Sequence, residues 1–332
     1  KPWQNDVYNA DNKFLREAAA AAKEIMDKGP FSLVTGDVKT AYRSLFTSAG
    51  LLTQEVIFGR EYSKERSAFH ETSWYYYSPT YGTKIAMTKK FMNTYLTTKG
   101  TPFTDIDGYK TVDFIHEFDG RDARMAQTVI SPSYQMKISG RTVPYSPNWK
   151  VTRTGYHPIK WSIDDDADNV LSKAASWNSL PIIRYAEILL NYVEALNEYD
   201  PGNPDILTYL NMVRKRAGVP DIEKVYPEAV GNQKQMRELI RRERMVELCY
   251  ENHRYFDIRT WMIAETEHGD VYGMNIDATN HNANSAFWKR TLSTRDSGLS
   301  ANGHRKFSPR GYLFPISQEE MDRTNCTQNY GW

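Results

Sequence analysis

Four successive aromatic residues, Trp74-Tyr-Tyr-Tyr77, with Tyr81 four positions further on, form the densest chemical feature of this 332-residue sequence. Sugars present flat CH faces and rings of hydroxyls, which amphipathic aromatic rings match with an apolar face and a polar edge. A loop cannot aim four consecutive rings into one core. A strand would bury alternate rings and expose either Trp74 and Tyr76 or Tyr75 and Tyr77. Two readings stay open for Trp74, Tyr75, Tyr76, Tyr77 and Tyr81: contact with a ligand, or packing within a loop. Trp149, in Pro147-Asn-Trp-Lys150, and Trp288, in Ala286-Phe-Trp-Lys-Arg290, are further candidate ligand-binding platforms. Trp161, Trp177 and Trp261 lie within or beside more regular motifs and are expected in the core.

Carboxylates supply the other candidate chemistry. On a helix, Leu239, Glu243, Val246 and Tyr250 share one face, so Glu243 stands at an apolar position with Glu247 one turn on. Such a pair suggests the acid and base of glycoside hydrolysis. Arg242, Arg244, Arg254 and Arg259 in the same segment would keep both ionised, which is wrong for a general acid. Structural ion pairing is the expected role, and no catalytic residue is assigned. The run Asp164-Asp-Asp-Ala-Asp168 offers calcium several oxygens but lacks the Gly and terminal Glu of a loop-type site, so a solvated acidic turn is expected. No cofactor and no metal ligand are assigned. Cys249 and Cys326 match no metal or redox spacing and are expected as free thiols.

The bulk composition narrows the function classes. Lys and Arg total 42 against 41 Asp and Glu, so no field draws the chain to nucleic acid or anionic lipid. Tyr (22) and Trp (8) exceed what a plain helical core needs, which suits a wet recognition surface. No apolar run approaches the ~18 residues of a membrane span. The first residues contain neither an initiator Met nor a signal peptide, so a mature form or fragment is expected.

The elements that must position these residues are unevenly legible. A helix is predicted over 10–28, with Phe14, Ala18, Ala21 and Ile25 as its apolar stripe and Gly29-Pro30 as its stop. Residues 31–180 read as long loops with a few short strands, Glu55-Val-Ile-Phe58 among them, and a helix over 85–97. Ile183, Ala186, Leu190, Val193 and Leu196 predict a helix ending at Asp200-Pro-Gly202. Asn203-Pro-Asp205 then restarts one that carries Ile206, Leu210 and Val213. This antiparallel hairpin resembles a tetratricopeptide unit. A third long helix is predicted over 234–250, extending toward Trp261, and Tyr312-Leu-Phe-Pro-Ile316 as a buried extended segment.

Several motifs together resemble one family. Arg184-Tyr-Ala-Glu-Ile-Leu-Leu-Asn-Tyr-Val-Glu-Ala195 and Leu210-Asn-Met-Val-Arg-Lys-Arg-Ala-Gly218 look like consecutive signature helices of SusD/RagB proteins. The 243–261 stretch, Tyr312-Leu-Phe-Pro-Ile316 with Gln328-Asn-Tyr-Gly-Trp332, Asp119-Gly-Arg-Asp-Ala-Arg124 and Thr154-Gly-Tyr-His-Pro-Ile-Lys-Trp161 match in order and spacing. Asn252 stands where the family usually has Gly, and Thr260 where Arg is common.

The resemblance implies a mainly α fold in which tetratricopeptide-like helical hairpins support a loop-rich face with a few short strands. It implies one domain across 1–332, lacking the family's N-terminal helical region. Within it, 31–180 would face the ligand, 181–262 form the helical scaffold and 263–332 a loop-rich closing segment. It also implies a lipid-anchored protein on the outer face of the outer membrane. Such a protein would capture oligosaccharide and pass it to a SusC-like TonB-dependent transporter, without catalysis or nucleic-acid binding. A peptide-binding receptor of the same architecture is the alternative.

Overall fold

A computed structural model describes residues 11–147, 150–167, 170–171, 173, 175–274, 290–292 and 306–332. In chain order the elements are α1 (Lys13–Lys28), α2 (Ala41–Thr47), β1 (Val56–Arg60), α3 (Thr72–Tyr77), α4 (Lys89–Met92) and α5 (Arg124–Thr128). There follow β2 (Gln135–Ile138), β3 (Arg141–Pro144), β4 (Leu180–Arg184), α6 (Tyr185–Tyr199), α7 (Asp205–Arg216), α8 (Ile222–Val225) and α9 (Gln233–Glu247). The chain closes with α10 (His253–Thr260), α11 (Ala264–Glu267), β5 (Tyr272–Met274), β6 (Arg290–Leu292) and α12 (Gln318–Thr324). The fold is mainly α, and among the described residues the strands form two-stranded ribbons, β1 with β4, β2 with β3 and β5 with β6.

Four helices make the scaffold. Leu189, Leu190, Val193 and Leu196 of α6 are buried against α1, α7 and α9, which contribute Ala19 and Ala22, Leu210 and Val213, and Met236 and Ile240. Burying each such aliphatic side chain contributes roughly 1.5–3 kcal/mol. The α6–α7 turn forms because the Asn203 side chain accepts a hydrogen bond from the Asp205 N–H at 3.0 Å. Asn232 caps α9 in the same way through the Gln235 N–H.

Several expectations need correction. The stripe that faces the core is Leu15, Ala19, Ala22, Ile25 and Met26, so Ile25 packs as expected; Phe14 is 53% exposed and Ala18 and Ala21 are exposed with it. Alanine occupies consecutive positions 18–22, so composition alone does not choose which alanines meet the neighbour. Ile183 belongs to β4, not to the helix after it. The helix predicted over 85–97 shrinks to α4, because Thr88 caps it and Thr94 bonds back to the Phe91 carbonyl. The third long helix stops at Glu247. Tyr250 (φ +59°) and Asn252 (φ +66°) then take left-handed backbone before α10. Asn tolerates that conformation better than most residues, which explains why it stands where Gly is usual. The 312–316 segment is not wholly buried: Tyr312 is, but Phe314 is 63% exposed.

Candidate ligand-binding site

Trp74-Tyr-Tyr-Tyr77 is neither a loop nor a strand but most of α3. Adjacent residues on a helix point about 100° apart, so Tyr76 and Tyr77 can both enter one core, which a strand forbids. Each is 7% exposed, packed with Ile130, Tyr134, Met136 and Ile159. The Tyr77 hydroxyl lies 3.1 Å from that of Tyr134 and 3.3 Å from Ser162 Oγ. These two rings are structural and leave the candidate platform.

The other three rings group together. Trp74 and Tyr75 are half-buried and Tyr81 is 70% exposed. Their centroids lie 5.0 Å (Trp74–Tyr75) and 5.8 Å (Trp74–Tyr81) apart, with interplanar angles of 38° and 40°. Glu71, one turn before Tyr75, raises the phenol pKa and sets a carboxylate beside the rings. The helix is pinned from below: the Ser73 N–H donates to Ser176 Oγ at 3.1 Å, and Ser73 Oγ accepts from the Ile163 N–H at 3.0 Å. Tyr81 is held by its N–H donating to Ser78 Oγ, while the Gly82 N–H donates to the Ser78 carbonyl. A Cβ on Gly82 would stand 2.2 Å from that carbonyl oxygen and 2.7 Å from that of Tyr75, so only glycine closes this turn. Trp149 and Trp288, the remaining candidates, lie outside the described residues.

Glu243 and Glu247 form ion pairs, but not with the arginines beside them in sequence. Arg124 reaches Glu243 at 2.7 Å and Glu247 at 2.8 Å; Arg184 reaches Glu247 at 2.5 Å, Arg216 also pairs with it, and Arg214 lies 3.5 Å from Glu243. The cluster continues through Glu55, which Arg184 and Arg216 both meet at 2.9 Å, and through Glu251, which meets Arg184 and Lys160 at 2.6 Å. Asp122 pairs with Arg124 at 2.7 Å. Five carboxylates (Glu55, Asp122, Glu243, Glu247, Glu251) thus face five cations (Arg124, Lys160, Arg184, Arg214, Arg216), and the cluster is neutral. Burial alone would raise the Glu247 pKa, but Arg216, Arg184 and Arg124 outweigh it and hold the carboxylate well below its ordinary range. An always-ionised, enclosed carboxylate cannot serve as a general acid.

The acidic run is likewise occupied. Asp164 receives Arg43 and the Tyr134 hydroxyl, Asp165 lies 3.2 Å from Lys137, and Asp166 accepts the Ser139 N–H. Asp164 and Asp165 are thus ion-paired while Asp166 bonds only a backbone N–H, and all three stay partly exposed, so the turn is only in part the solvated one expected; Asp168 lies outside the described residues. No group of three or more potential metal-ligating side chains occurs among the described residues. Both cysteines are free, and burial pushes the Cys249 thiol up to about 12. Trp161 and Trp261 sit half-buried at the core's edge. Trp161 meets Phe46 edge-on at 4.7 Å, and the Trp261 N–H donates to Glu194. One aromatic surface escaped sequence reasoning: Trp177 and Tyr62 line an open cleft, although only the charged stretch Lys64-Glu-Arg66 marked that turn as exposed.

Known proteins share the fold. A SusD-like protein from Bacteroides fragilis superposes with a TM-score of 0.73 at 22% identity, covering 98% of this chain and 63% of its own. A SusD-like carbohydrate-binding protein from the same species gives 0.65 at 24% identity, covering 95% and 61%. SusD-like protein P2 of Formosa agariphila is 33% identical over 106 residues, 31% of this chain and 20% of that protein. The chain therefore spans less than two thirds of the length of these relatives. The profile of the SusD family matches residues 54–332, most of the sequence, and the chain belongs to that family.

Proposed function

We propose that this chain is the glycan-capturing part of an outer-membrane surface receptor, which binds oligosaccharide without altering it. The bound sugar passes to a SusC-like TonB-dependent transporter, and a lipid anchor outside this sequence tethers the protein. The observation that carries the reading is the Trp74, Tyr75 and Tyr81 group: three accessible rings on a pinned helix and a glycine-closed turn, with Glu71 as a polar neighbour. Sugar CH faces stack on such rings while hydroxyls reach the carboxylate. The carboxylates that might have supported hydrolysis are locked in ion pairs. A relative described as a carbohydrate-binding protein supports the same class of ligand.

Electrophoresis through polysaccharide-loaded gels tests it. The unaltered chain should be retarded by at least one polysaccharide, and Trp74→Ala and Tyr81→Ala should each weaken that binding about tenfold or more. Gly82→Ala should weaken it too although it removes no ring, because the turn that carries Tyr81 can no longer close and the ring is displaced. Binding to peptides with no retardation by any polysaccharide would replace this reading with the peptide-receptor one.

A further inference from the structure

The sequence places Trp177 in the core, but its indole is half-buried on the wall of a cleft of about 410 Å3. Ala49, Gly50, Tyr62 and Ala68 form the remaining walls. The rim carries Glu61, Glu65, Lys64 and Arg66, two charges of each sign, so it favours neither anions nor cations. Lys64 Nζ lies 5.0 Å from the centre of the indole.

The cleft is built on fixed backbone. Ser176 and His70 exchange both backbone hydrogen bonds, at 2.9 and 3.0 Å, and Asn178 Nδ2 donates to the Phe46 carbonyl at 2.7 Å, so Trp177 sits between two anchored neighbours. Ser179 Oγ donates to the Ala49 carbonyl at 2.7 Å and accepts from the Tyr62 N–H at 3.3 Å, tying the opposite walls together. A Cβ on Gly50 would meet nothing within 4 Å, so the wall is open there.

We propose that this cleft is a second carbohydrate subsite that takes neutral sugar residues on the Trp177 face, with the mixed rim charges bonding their hydroxyls. The class of ligand rests on the glycan-binding reading, but the site does not depend on the Trp74 platform. Ser176 bonds to Ser73, so one fixed junction carries both Trp74 and Trp177 as next residues. Two subsites on one protein raise affinity for a polymer that presents many sugar units, without any new contact at either.

The experiment compares the full chain with Trp177→Ala, Gly50→Leu and Trp74→Ala in gels containing starch, laminarin or galactomannan (neutral) and alginate or pectin (anionic). Gly50→Leu fills the cleft from an exposed position and should leave the thermal midpoint unchanged. Trp177→Ala and Gly50→Leu should each weaken retention by a neutral polysaccharide about tenfold. Unaltered retention in Gly50→Leu, or a loss confined to the anionic gels, overturns the cleft as a neutral-sugar site. If Gly50→Leu weakens binding and Trp74→Ala does not, the platform reading fails alone. If Trp74→Ala weakens binding and Gly50→Leu does not, the cleft fails alone. Retardation of the unaltered chain by none of the five overturns both.

Discussion

Glu247→Ala is expected to destabilise the protein by about 3–5 kcal/mol, the cost of leaving buried charge without its partner. Arg124, Arg184 and Arg216 all converge on this one carboxylate, and both of its oxygens are taken. Its removal leaves the enclosed cluster with an excess positive charge where no water can screen it. Glu247→Gln keeps the shape but not the charge and should recover little. Removing one charge of each sign restores neutrality, so Glu247→Met with Arg216→Met should be more stable than the sum of the two single changes predicts. Urea midpoints followed by circular dichroism would measure all five variants, the two single Met changes included. A loss under about 1 kcal/mol for Glu247→Ala would mean that the cluster is far wetter than its geometry implies.

The second large effect is a loss of stability on mild acidification, centred on His157. The ring is fully buried, 4.9 Å from that of Tyr77, and neither nitrogen meets a hydrogen-bond partner among the described residues. Burial lowers its pKa to about 3. The unfolded chain therefore binds a proton near pH 6.5 that the folded chain refuses, and stability falls as pH drops below 6.5. The slope approaches about 1.4 kcal/mol per pH unit, or roughly 2 kcal/mol between pH 6.5 and 5. His70, also lowered by burial, acts in the same direction, whereas the exposed His116 is raised by Asp113 and opposes it weakly. Glu247 and Glu251 are depressed, so their contribution is intact above about pH 4.5 and is lost only below it. Between about pH 6.5 and 4.5 the histidines therefore act alone, and below about 4.5 the carboxylate loss adds to the His157 loss, which itself ends near pH 3. Urea midpoints at pH 7, 6 and 5 should fall more steeply for the natural chain than for His157→Leu, in which His70 still contributes; equal slopes would refute the assignment.

The helical scaffold was the legible part. Leu189, Leu190, Val193 and Leu196 repeat at helical spacing, and Asn203-Pro-Asp205 marks its turn by local hydrogen bonding, so sequence order suffices. The partners of Glu247 were illegible because they come from Arg124, Arg184 and Arg216, between 31 and 123 positions away. The nearby arginines have other duties: Arg244 meets Asp257 and Arg254 meets Glu267. At the platform, residue type was a sound guide but geometry was not. Alternation assigned one ring of each adjacent pair to solvent, whereas α3 sends Tyr76 and Tyr77 inward together. Trp177 was missed because an indole's sequence neighbours do not reveal whether a cleft opens beside it.

The neutral cluster also bears on the order in which the chain is synthesised. Its members up to Arg184 carry a net positive charge of one, and Arg214 and Arg216 raise that to three. Only the arrival of Glu243, Glu247 and Glu251 cancels it. A nascent chain that has not yet released α9 would have to enclose uncompensated arginines to collapse, and that cost favours waiting. On this charge balance, α9 and Glu251 just beyond it would supply the last negative charges needed before the loop-rich segments can close over the cluster. A chain ended after residue 232 should accordingly stay expanded in solution scattering. A compact, cooperatively melting fragment would show that closure does not await those three carboxylates.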